Sequence, residues 1–203
     1  MKKVLCFGDS NTYGYIPGSG LRYDKNTRWT GVLQFLCGME YKIIEEGCNN
    51  RMCFIDSPQG ELYTGYKFLP SRLNKDLYAV ILALGANDAQ KFFDVSKNDF
   101  KNGIETLIAI TKANSPQARI IVVSPSQVSN DVLTGPFAFQ FDETSIERTK
   151  WLGQIYEEAS KKFGCEFINL DKIVHVSKID GLHYDKKEHK IIAQAIYKQL
   201  SCL

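Results

Sequence analysis

The 203-residue sequence has no long hydrophobic run, and none of its apolar stretches approaches the ~18 residues that a membrane-spanning helix needs. Charge of either sign is also not in excess, since 25 Lys and Arg stand against 23 Asp and Glu. A net charge of +2 without a basic stripe argues against nucleic acid as a partner. Only four apolar residues follow Lys2 and Lys3, too few for the core of a signal peptide, so we expect a cytoplasmic protein.

Signs of disulfide bonds or of a structural metal are equally sparse. The sequence has six cysteines and three histidines, and no two cysteines form a Cys-x-x-Cys pair. A chain of this length buries enough surface to fold without covalent bridges. We therefore expect no metal site, and interpret most of the cysteines as small buried residues in a reducing compartment. They are Cys6, Cys37, Cys48, Cys53, Cys165 and Cys202.

Short apolar runs alternate with helix-periodic segments along the chain. The runs predict five strands, at residues 4–7, 42–44, 79–84, 120–123 and 167–170. Between and after them, apolar spacings of three and four predict helices at 29–36, around 100–108, at 152–163 and after 187, the last with Ile192, Ala195, Ile196 and Leu200 on one face. Alternation of this kind implies parallel strands joined by right-handed crossovers. We predict a single α/β domain over residues 1–203, a three-layer α/β/α sandwich around a five-stranded parallel sheet.

Polar and small residues cluster after the predicted strands, at the sheet edge where ligands of such folds bind. The segments are Gly8-Asp9-Ser10-Asn11-Thr12-Tyr13-Gly14, Glu45-Glu46-Gly47-Cys48-Asn49-Asn50-Arg51, Gly85-Ala86-Asn87-Asp88 and, before the last helix, Asp180-Gly181-Leu182-His183.

One hydroxyl and one Asp–His pair stand out among these residues. Asp180 can hold one imidazole nitrogen of His183 and leave the other free as a base. A serine hydroxyl needs such a base to become a nucleophile, and Ser10 is the best-placed hydroxyl. Structural alternatives exist for each: Asp180 could cap the last helix, His183 could be an ordinary loop residue, and Ser10 could be a turn residue or N-cap.

Acyl transfer also needs two or three N–H donors around the oxygen that becomes negative. The backbone N–H of Ser10, a backbone N–H of the second polar segment and the side-chain amide of Asn87 could supply them. Taken singly, Asn87 could be only a turn former and Gly47 only a backbone kink. The coincidence of four such segments at matching strand ends favours a catalytic site.

Together the four segments resemble the four sequence blocks of the GDSL, or SGNH, hydrolases. Residues 28–33, 43–47 and 66–71 are similar to the bacterial arylesterase and acyltransferase branch, whose members hydrolyse short acyl esters and can pass the acyl group to alcohols. The resemblance implies a flavodoxin-like SGNH fold with Ser10 as nucleophile, His183 as base and Asp180 as its orienting partner. It implies no metal and no cofactor, and it implies self-association into a homo-oligomer.

Two residues depart from the pattern of that branch. Asn50 stands where the second block has a small residue that supplies an oxyanion-hole N–H, so we expect a narrower pocket or a different backbone angle there. Ala86 replaces a threonine in the third block, while Asn87 is intact.

The walls of the substrate pocket are harder to predict. Contacts with substrate are expected from Asp9, Tyr13, Tyr15 and Leu182. Residues 136–141 place Phe137, Phe139 and Phe141 at alternate positions, which suits a loop packed on the core, a pocket lid or an interface.

The resulting hypothesis is a serine esterase that cleaves short-chain acyl esters through an acyl-enzyme, with transfer to alcohols as a second outcome. A carbohydrate deacetylase, a lysophospholipase and a thioesterase use the same chemistry and stay open. A different class is a flavodoxin-like module that binds phosphate or a nucleotide at residues 10–12, although no complete phosphate-binding glycine motif is present. A scaffold protein with a decayed site is a third possibility. The Gly-x-Ser-x-Gly elbow of α/β-hydrolases is absent.

Overall fold

Five parallel strands form the central sheet, in the spatial order β2-β1-β3-β4-β5. In this computed structural model, which describes residues 1–201, the strands are β1 (Lys2–Gly8), β2 (Tyr41–Gly47), β3 (Leu77–Ala83), β4 (Arg119–Ser124) and β5 (Glu166–Asn169). The predicted five-stranded parallel sheet of an α/β/α sandwich is thereby confirmed. The strand ends differ from the prediction by up to three residues, most at β2, where pairing with β1 extends through the charged Glu45 and Glu46.

Seven α-helices connect and follow the strands within the described residues. They are α1 (Ser10–Tyr13), α2 (Trp29–Cys37), α3 (Gly65–Phe68), α4 (Lys97–Asn114), α5 (Glu143–Thr149), α6 (Leu152–Phe163) and α7 (Lys186–Ser201). Sequence periodicity anticipated α2, α4, α6 and α7. The other three have four or seven residues, too few to show a helical repeat. Among residues 1–201, no helix combines the length and apolarity needed to cross a membrane.

The central strands are covered on both faces because their successive side chains enter different helical layers. In β1, Leu5 and Phe7 pack with residues of α4 and α6, whereas Val4 and Cys6 pack with residues of α2 and α7. On α7 the fully buried alanine is Ala193 rather than the predicted Ala195, because Ala193 shares the face of Ile192 and Ile196.

A third, smaller apolar cluster lies among the loops. Ala86 from the loop after β3 packs there with Val128, Phe141 and Leu182. This cluster joins the loops that follow β3 and β4 to the loop that precedes α7. The threonine-to-alanine departure at position 86 therefore falls at a packing position.

The cysteines differ in their burial. Cys6, Cys37 and Cys53 are buried, Cys48 and Cys165 are half-buried, and all five carry free thiols. The sixth cysteine, Cys202, lies outside the described residues.

The sheet order places a topological switch between β1 and β3. The chain leaves β1 towards β2 on one side and returns to β3 on the other. A crevice forms outside the carboxyl ends of strands at such a point, and this is where ligands of α/β sheets bind.

Candidate active site

Ser10 is the first residue of α1 and comes two positions after the end of β1. The helix is capped by Asp9, whose Oδ1 accepts a hydrogen bond from the N–H of Asn11 at 3.0 Å. Ser10 is therefore not the cap, and its side chain points elsewhere. Its Oγ lies 2.9 Å from Nε2 of His183, a residue 173 positions later in the chain.

Two glycines allow α1 to sit this close to the sheet. A Cβ atom on Gly47 would lie 2.1 Å from the backbone nitrogen of Tyr13, and one on Gly8 would lie 2.1 Å from Oγ1 of Thr12. No side chain fits in either place. The φ angle of Gly47 is not positive, so the backbone conformation does not require glycine at this position. Glycine is needed because two backbone segments approach each other closely there.

Asp180 orients the imidazole from a fully buried position. Its Oδ2 accepts hydrogen bonds from Nδ1 of His183 at 2.9 Å and from the N–H of Gly18 at 3.0 Å. Its Oδ1 accepts from the backbone N–H groups of Leu182 at 3.1 Å and His183 at 3.0 Å. Leu182 and His183 lie in the loop before α7 and Gly18 lies between α1 and α2, so none of the donors belongs to α7 and Asp180 does not cap that helix.

The charge of Asp180 decides the tautomer of His183. Burial raises the pKa of Asp180, but the hydrogen bonds from the His183 ring and from the two backbone N–H groups outweigh it and lower the pKa overall. An ionised carboxylate can only accept hydrogen bonds, so the neutral His183 ring carries its proton on Nδ1. Nε2 is then left as the acceptor for the hydroxyl of Ser10.

Three N–H groups near Ser10 are available to a ligand oxygen. Ser10 begins a helix, where the backbone N–H has no intrahelical partner. Within residues 1–201, no hydrogen bond engages the backbone N–H of Ser10 or Asn50. The Nδ2 of Asn87 uses one of its two hydrogens to bind the carbonyl of Arg51 at 3.1 Å, which leaves the second hydrogen free.

These groups share one open cavity of about 220 Å³. It is lined by Ser10, Asn50, Asn87 and His183 together with apolar and amide side chains. The apolar part consists of Tyr15, Phe137, Phe139 and Leu182, and the amide part of Asn49, Gln59 and Gln140.

Comparison with known proteins identifies the family. The sequence model of the GDSL-like lipase/acylhydrolase family matches residues 6–190. The chain belongs to this family. A search of the curated proteins found no match.

Similar solved structures include two esterases of this size. The aryl esterase of M. smegmatis is 28% identical with a TM-score of 0.89, over 98% of each chain. Est24, a carbohydrate acetylesterase from Sinorhizobium meliloti, is 28% identical with a TM-score of 0.91, over 99% of each chain. A lipase/acylhydrolase from Enterococcus faecalis shares the fold at 20% identity and a TM-score of 0.71, over 98% of this chain and 95% of the other.

This member of the GDSL-like family is accordingly a carboxylic ester hydrolase with the SGNH fold, as the sequence blocks predicted. Family membership favours the enzyme over both other interpretations, the flavodoxin-like binding module and the scaffold protein.

Of the predicted pocket walls, Tyr15 and Leu182 line the cavity. The Tyr15 ring lies 4.2 Å from the His183 ring, centroid to centroid, and the Phe137 ring lies 5.1 Å from it. Two aromatic rings thus pack beside the imidazole and limit its movement.

The predicted contacts of Asp9 and Tyr13 with substrate are not supported. Asp9 is buried as the cap of α1 and lines a separate, smaller cavity together with Asn11 and Thr12. Burial raises its pKa to about 7. Tyr13 does not line the cavity. The guanidinium carbon of Arg22 lies 4.5 Å from the centroid of the Tyr13 ring. Successive residues of a helix point in different directions, so Ser10 and Tyr13 do not face the same cavity. A four-residue helix is too short to be predicted from sequence periodicity.

The aromatic stretch at 136–141 divides between two environments. Phe137 and Phe139 line the cavity, and Phe139 is 61% exposed. Phe141 belongs to the apolar cluster among the loops. These residues form turns rather than a strand, so alternate spacing does not place them on one face.

Arg51 is a supporting residue whose role the sequence did not reveal. It is 1% exposed and donates to the carbonyl oxygens of Gly8 at 3.1 Å, Glu46 at 2.6 Å and Leu62 at 2.9 Å. Burial lowers its pKa. Arg51 thereby ties the ends of β1 and β2 together beneath the segment that carries Asn50.

Asp88 is a second supporting residue, buried next to Asn87. Its carboxylate accepts the backbone N–H groups of Cys53 at 2.6 Å, Phe54 at 2.9 Å and Ile55 at 3.1 Å. Burial raises the pKa of Asp88 to about 6, although the hydrogen bonds from these three N–H groups act to lower it. The loop after β3 is in this way fixed to the segment that follows Arg51.

Proposed function

We propose that this esterase cleaves short-chain acyl esters through a covalent acyl-enzyme on Ser10. The observation that carries the proposal is the pair of 2.9 Å contacts that join Ser10 Oγ to His183 Nε2 and His183 Nδ1 to Asp180 Oδ2. Nucleophile, base and orienting carboxylate recur in this arrangement in serine hydrolases of unrelated folds.

In the first step Nε2 of His183 takes the hydroxyl proton while Oγ of Ser10 bonds to the ester carbonyl carbon. The carbonyl electron pair moves onto its oxygen. The N–H groups of Ser10 and Asn50 and the free amide hydrogen of Asn87 stabilise that oxyanion. When the tetrahedral intermediate collapses, the C–O bond to the alcohol breaks and His183 returns the proton to the leaving alkoxide.

In the second step water attacks the acyl carbon and His183 again accepts the proton. The bond between that carbon and Oγ of Ser10 then breaks, the carboxylic acid leaves, and His183 returns the proton to Oγ. We propose that an alcohol can take the place of water and give a new ester. The apolar side chains of Tyr15, Phe137 and Leu182 around the ring favour an organic acceptor over water. The measurement is the ratio of ester to free acid formed as alcohol is added, and a ratio that stays at zero would reject the transfer activity.

A test of the nucleophile uses an activated ester. Ser10→Ala should abolish the burst of nitrophenol from nitrophenyl acetate and the labelling by a fluorophosphonate, which mass spectrometry should map to Ser10. Ser71→Ala, which removes an exposed hydroxyl that contacts only the carbonyl of Phe68, should keep both. Retained turnover in Ser10→Ala would overturn the assignment.

An acetylated carbohydrate is a second candidate substrate. The amides of Asn49, Gln59 and Gln140 can bond sugar hydroxyls, while the exposed ring of Phe139 can cover an apolar sugar face. The aryl esterase and carbohydrate acetylesterase among the similar structures support both choices. A panel of aryl esters from acetate to octanoate, acetylated sugars, lysophospholipids and acyl-thioesters, compared by kcat/KM, separates them.

We propose further that residues 1–203 form one domain and that this domain self-associates. Phe35 and Met39 are 84% and 93% exposed on and just after α2, and they offer apolar surface for a second copy. Light scattering on a sizing column should give a mass above 23.0 kDa, reduced by Phe35→Glu. A cytoplasmic location is likewise proposed, supported by the use of cysteine in the core.

A further inference from the structure

Asn50 has an unusual backbone conformation beside Ser10. Among residues 1–201, it is the one residue other than glycine with a positive φ, at 60°. Asparagine tolerates this left-handed region better than most residues, but the conformation still costs energy and persists only when the surroundings hold it.

The surroundings hold Asn50 through both ends of its side-chain amide. Its Oδ1 accepts a hydrogen bond from Nε2 of Gln90 at 2.9 Å, and its Nδ2 donates to Oε1 of Gln59 at 2.7 Å. We call these three side chains the Asn50 clamp. Gln90 is 3% exposed and Gln59 is exposed, so the two halves of the clamp differ in their access to water.

The buried half of the clamp is anchored firmly. Gln90 follows the Asn87–Ala89 turn, and its N–H bonds to the carbonyl of Asn87 at 3.2 Å. The clamp therefore connects two of the three oxyanion donors of the proposed mechanism through a single side-chain contact.

A change in φ at Asn50 would act on its N–H group. Arg51, the next residue, is fixed by its three bonds to carbonyl oxygens. With the downstream chain held, relaxation of φ would rotate the peptide between Asn49 and Asn50. The N–H of Asn50 belongs to that peptide and would turn away from its present direction.

We propose that Gln90 is a positioning residue for ester cleavage, which acts through the Asn50 side chain to hold the backbone N–H of Asn50 towards the oxyanion. The inference rests on the proposed function, because it presupposes attack by Ser10. It also accounts for the departure of Asn50 from the small residue expected there: the larger side chain supplies the contact that stabilises the left-handed backbone.

The test uses two matched substitutions that keep side-chain length and remove the amide. Gln90→Met should lower kcat for nitrophenyl acetate about tenfold with little change in KM, a fraction of the ~10²–10³-fold effect of losing a donor outright. Gln59→Met should lower kcat only about twofold, because water replaces an exposed partner. Circular dichroism and thermal unfolding establish that both variants are folded.

A double substitution shows whether Gln90 acts through Asn50. Glycine adopts a positive φ without a clamp, so in an Asn50→Gly background Gln90→Met should have no further effect on kcat. A merely structural role of Gln90 would give the same loss in both backgrounds. That result, an unchanged kcat in Gln90→Met, or a larger loss in Gln59→Met would overturn the proposal.

Two further variants keep the outcome decisive. If Gln90→Met does not fold, Asn50→Ala replaces it, since it removes the clamp, leaves Gln90 in place and retains the strain of a positive φ. Its kcat should fall about tenfold or more, and an unchanged kcat would refute the role of the clamp. Turnover that survives in Ser10→Ala would instead refute the proposed function itself.

Discussion

Replacement of Asp180 by asparagine would put a hydrogen-bond donor in the place of one acceptor oxygen while hardly changing the shape of the side chain. The carboxylate accepts four N–H groups, two at each oxygen. An asparagine has one acceptor oxygen, so its NH₂ group must face one of the two pairs of donors. If the oxygen stays with Leu182 and the backbone of His183, the NH₂ group faces Nδ1 of His183 and the N–H of Gly18.

The expected loss of activity follows from the tautomer. With an NH₂ group beside it, Nδ1 becomes an acceptor and the proton of the neutral ring moves to Nε2. That nitrogen then donates to Ser10 and cannot take its proton. The charge that stabilises the imidazolium is lost as well. For the same exchange in a Ser–His–Asp triad kcat falls ~10⁴-fold, which corresponds to about 5.5 kcal/mol of activation free energy.

The assay is single-turnover acylation by nitrophenyl acetate, with Asp76→Asn as a control at an exposed carboxylate that contacts Lys3. Asp180→Asn should retain a cooperative unfolding transition, with stability lower by about 1–3 kcal/mol for the unsatisfied donors. A folded Asp180→Asn variant that acylates within tenfold of the wild-type rate would show that Asp180 does not set the tautomer of His183.

Three other substitutions test separate parts of the structure. Asn87→Ala should lower kcat ~10²–10³-fold, or about 3–4 kcal/mol, with little change in KM, and a change confined to KM would mean ground-state binding instead. Asp88→Asn should reduce the free energy of unfolding in urea by about 1–3 kcal/mol, because one oxygen cannot satisfy three backbone donors; an equal midpoint and slope would contradict this. His189 is buried and accepts the N–H of Trp29, and burial lowers its pKa to about 4. Below pH ~6.5 this imidazole is protonated in the unfolded chain but stays neutral in the folded chain until the pH approaches 4. The free energy of unfolding should therefore fall by about 3 kcal/mol between pH 6.5 and 4 because of this residue. His189→Asn should remove that share of the pH dependence, and curves that stay parallel would argue against it.

The sheet was predictable because its residues obey a local rule. In β1 each residue from Val4 to Phe7 is buried and alternates between the two apolar layers, which is what an uninterrupted apolar run between helices indicates. The order of polar segments then places Ser10 near Asn87, since both follow adjacent parallel strands. No comparable rule locates α1, which has four residues, and neither Asp9 nor Tyr13, both predicted to contact substrate, lines the cavity.

Contacts between loops were beyond the reach of the sequence. The clamp joins Asn50 to Gln59 and Gln90, which lie 9 and 40 residues away in segments without a repeat. The partners of Arg51 are backbone carbonyls, which every residue carries, so nothing in the sequence distinguishes them. A positive φ at Asn50 was foreseen only as a different backbone angle, because asparagine is compatible with that region without requiring it.

The 173-residue separation between Ser10 and its neighbour His183 has a consequence for how the enzyme comes into being. A polypeptide emerging from the ribosome could complete β1, β2 and β3 and still possess no reactive hydroxyl, since the imidazole arrives almost last. Ester cleavage would then begin abruptly rather than gradually during synthesis, and its onset would report that this long-range pairing had formed.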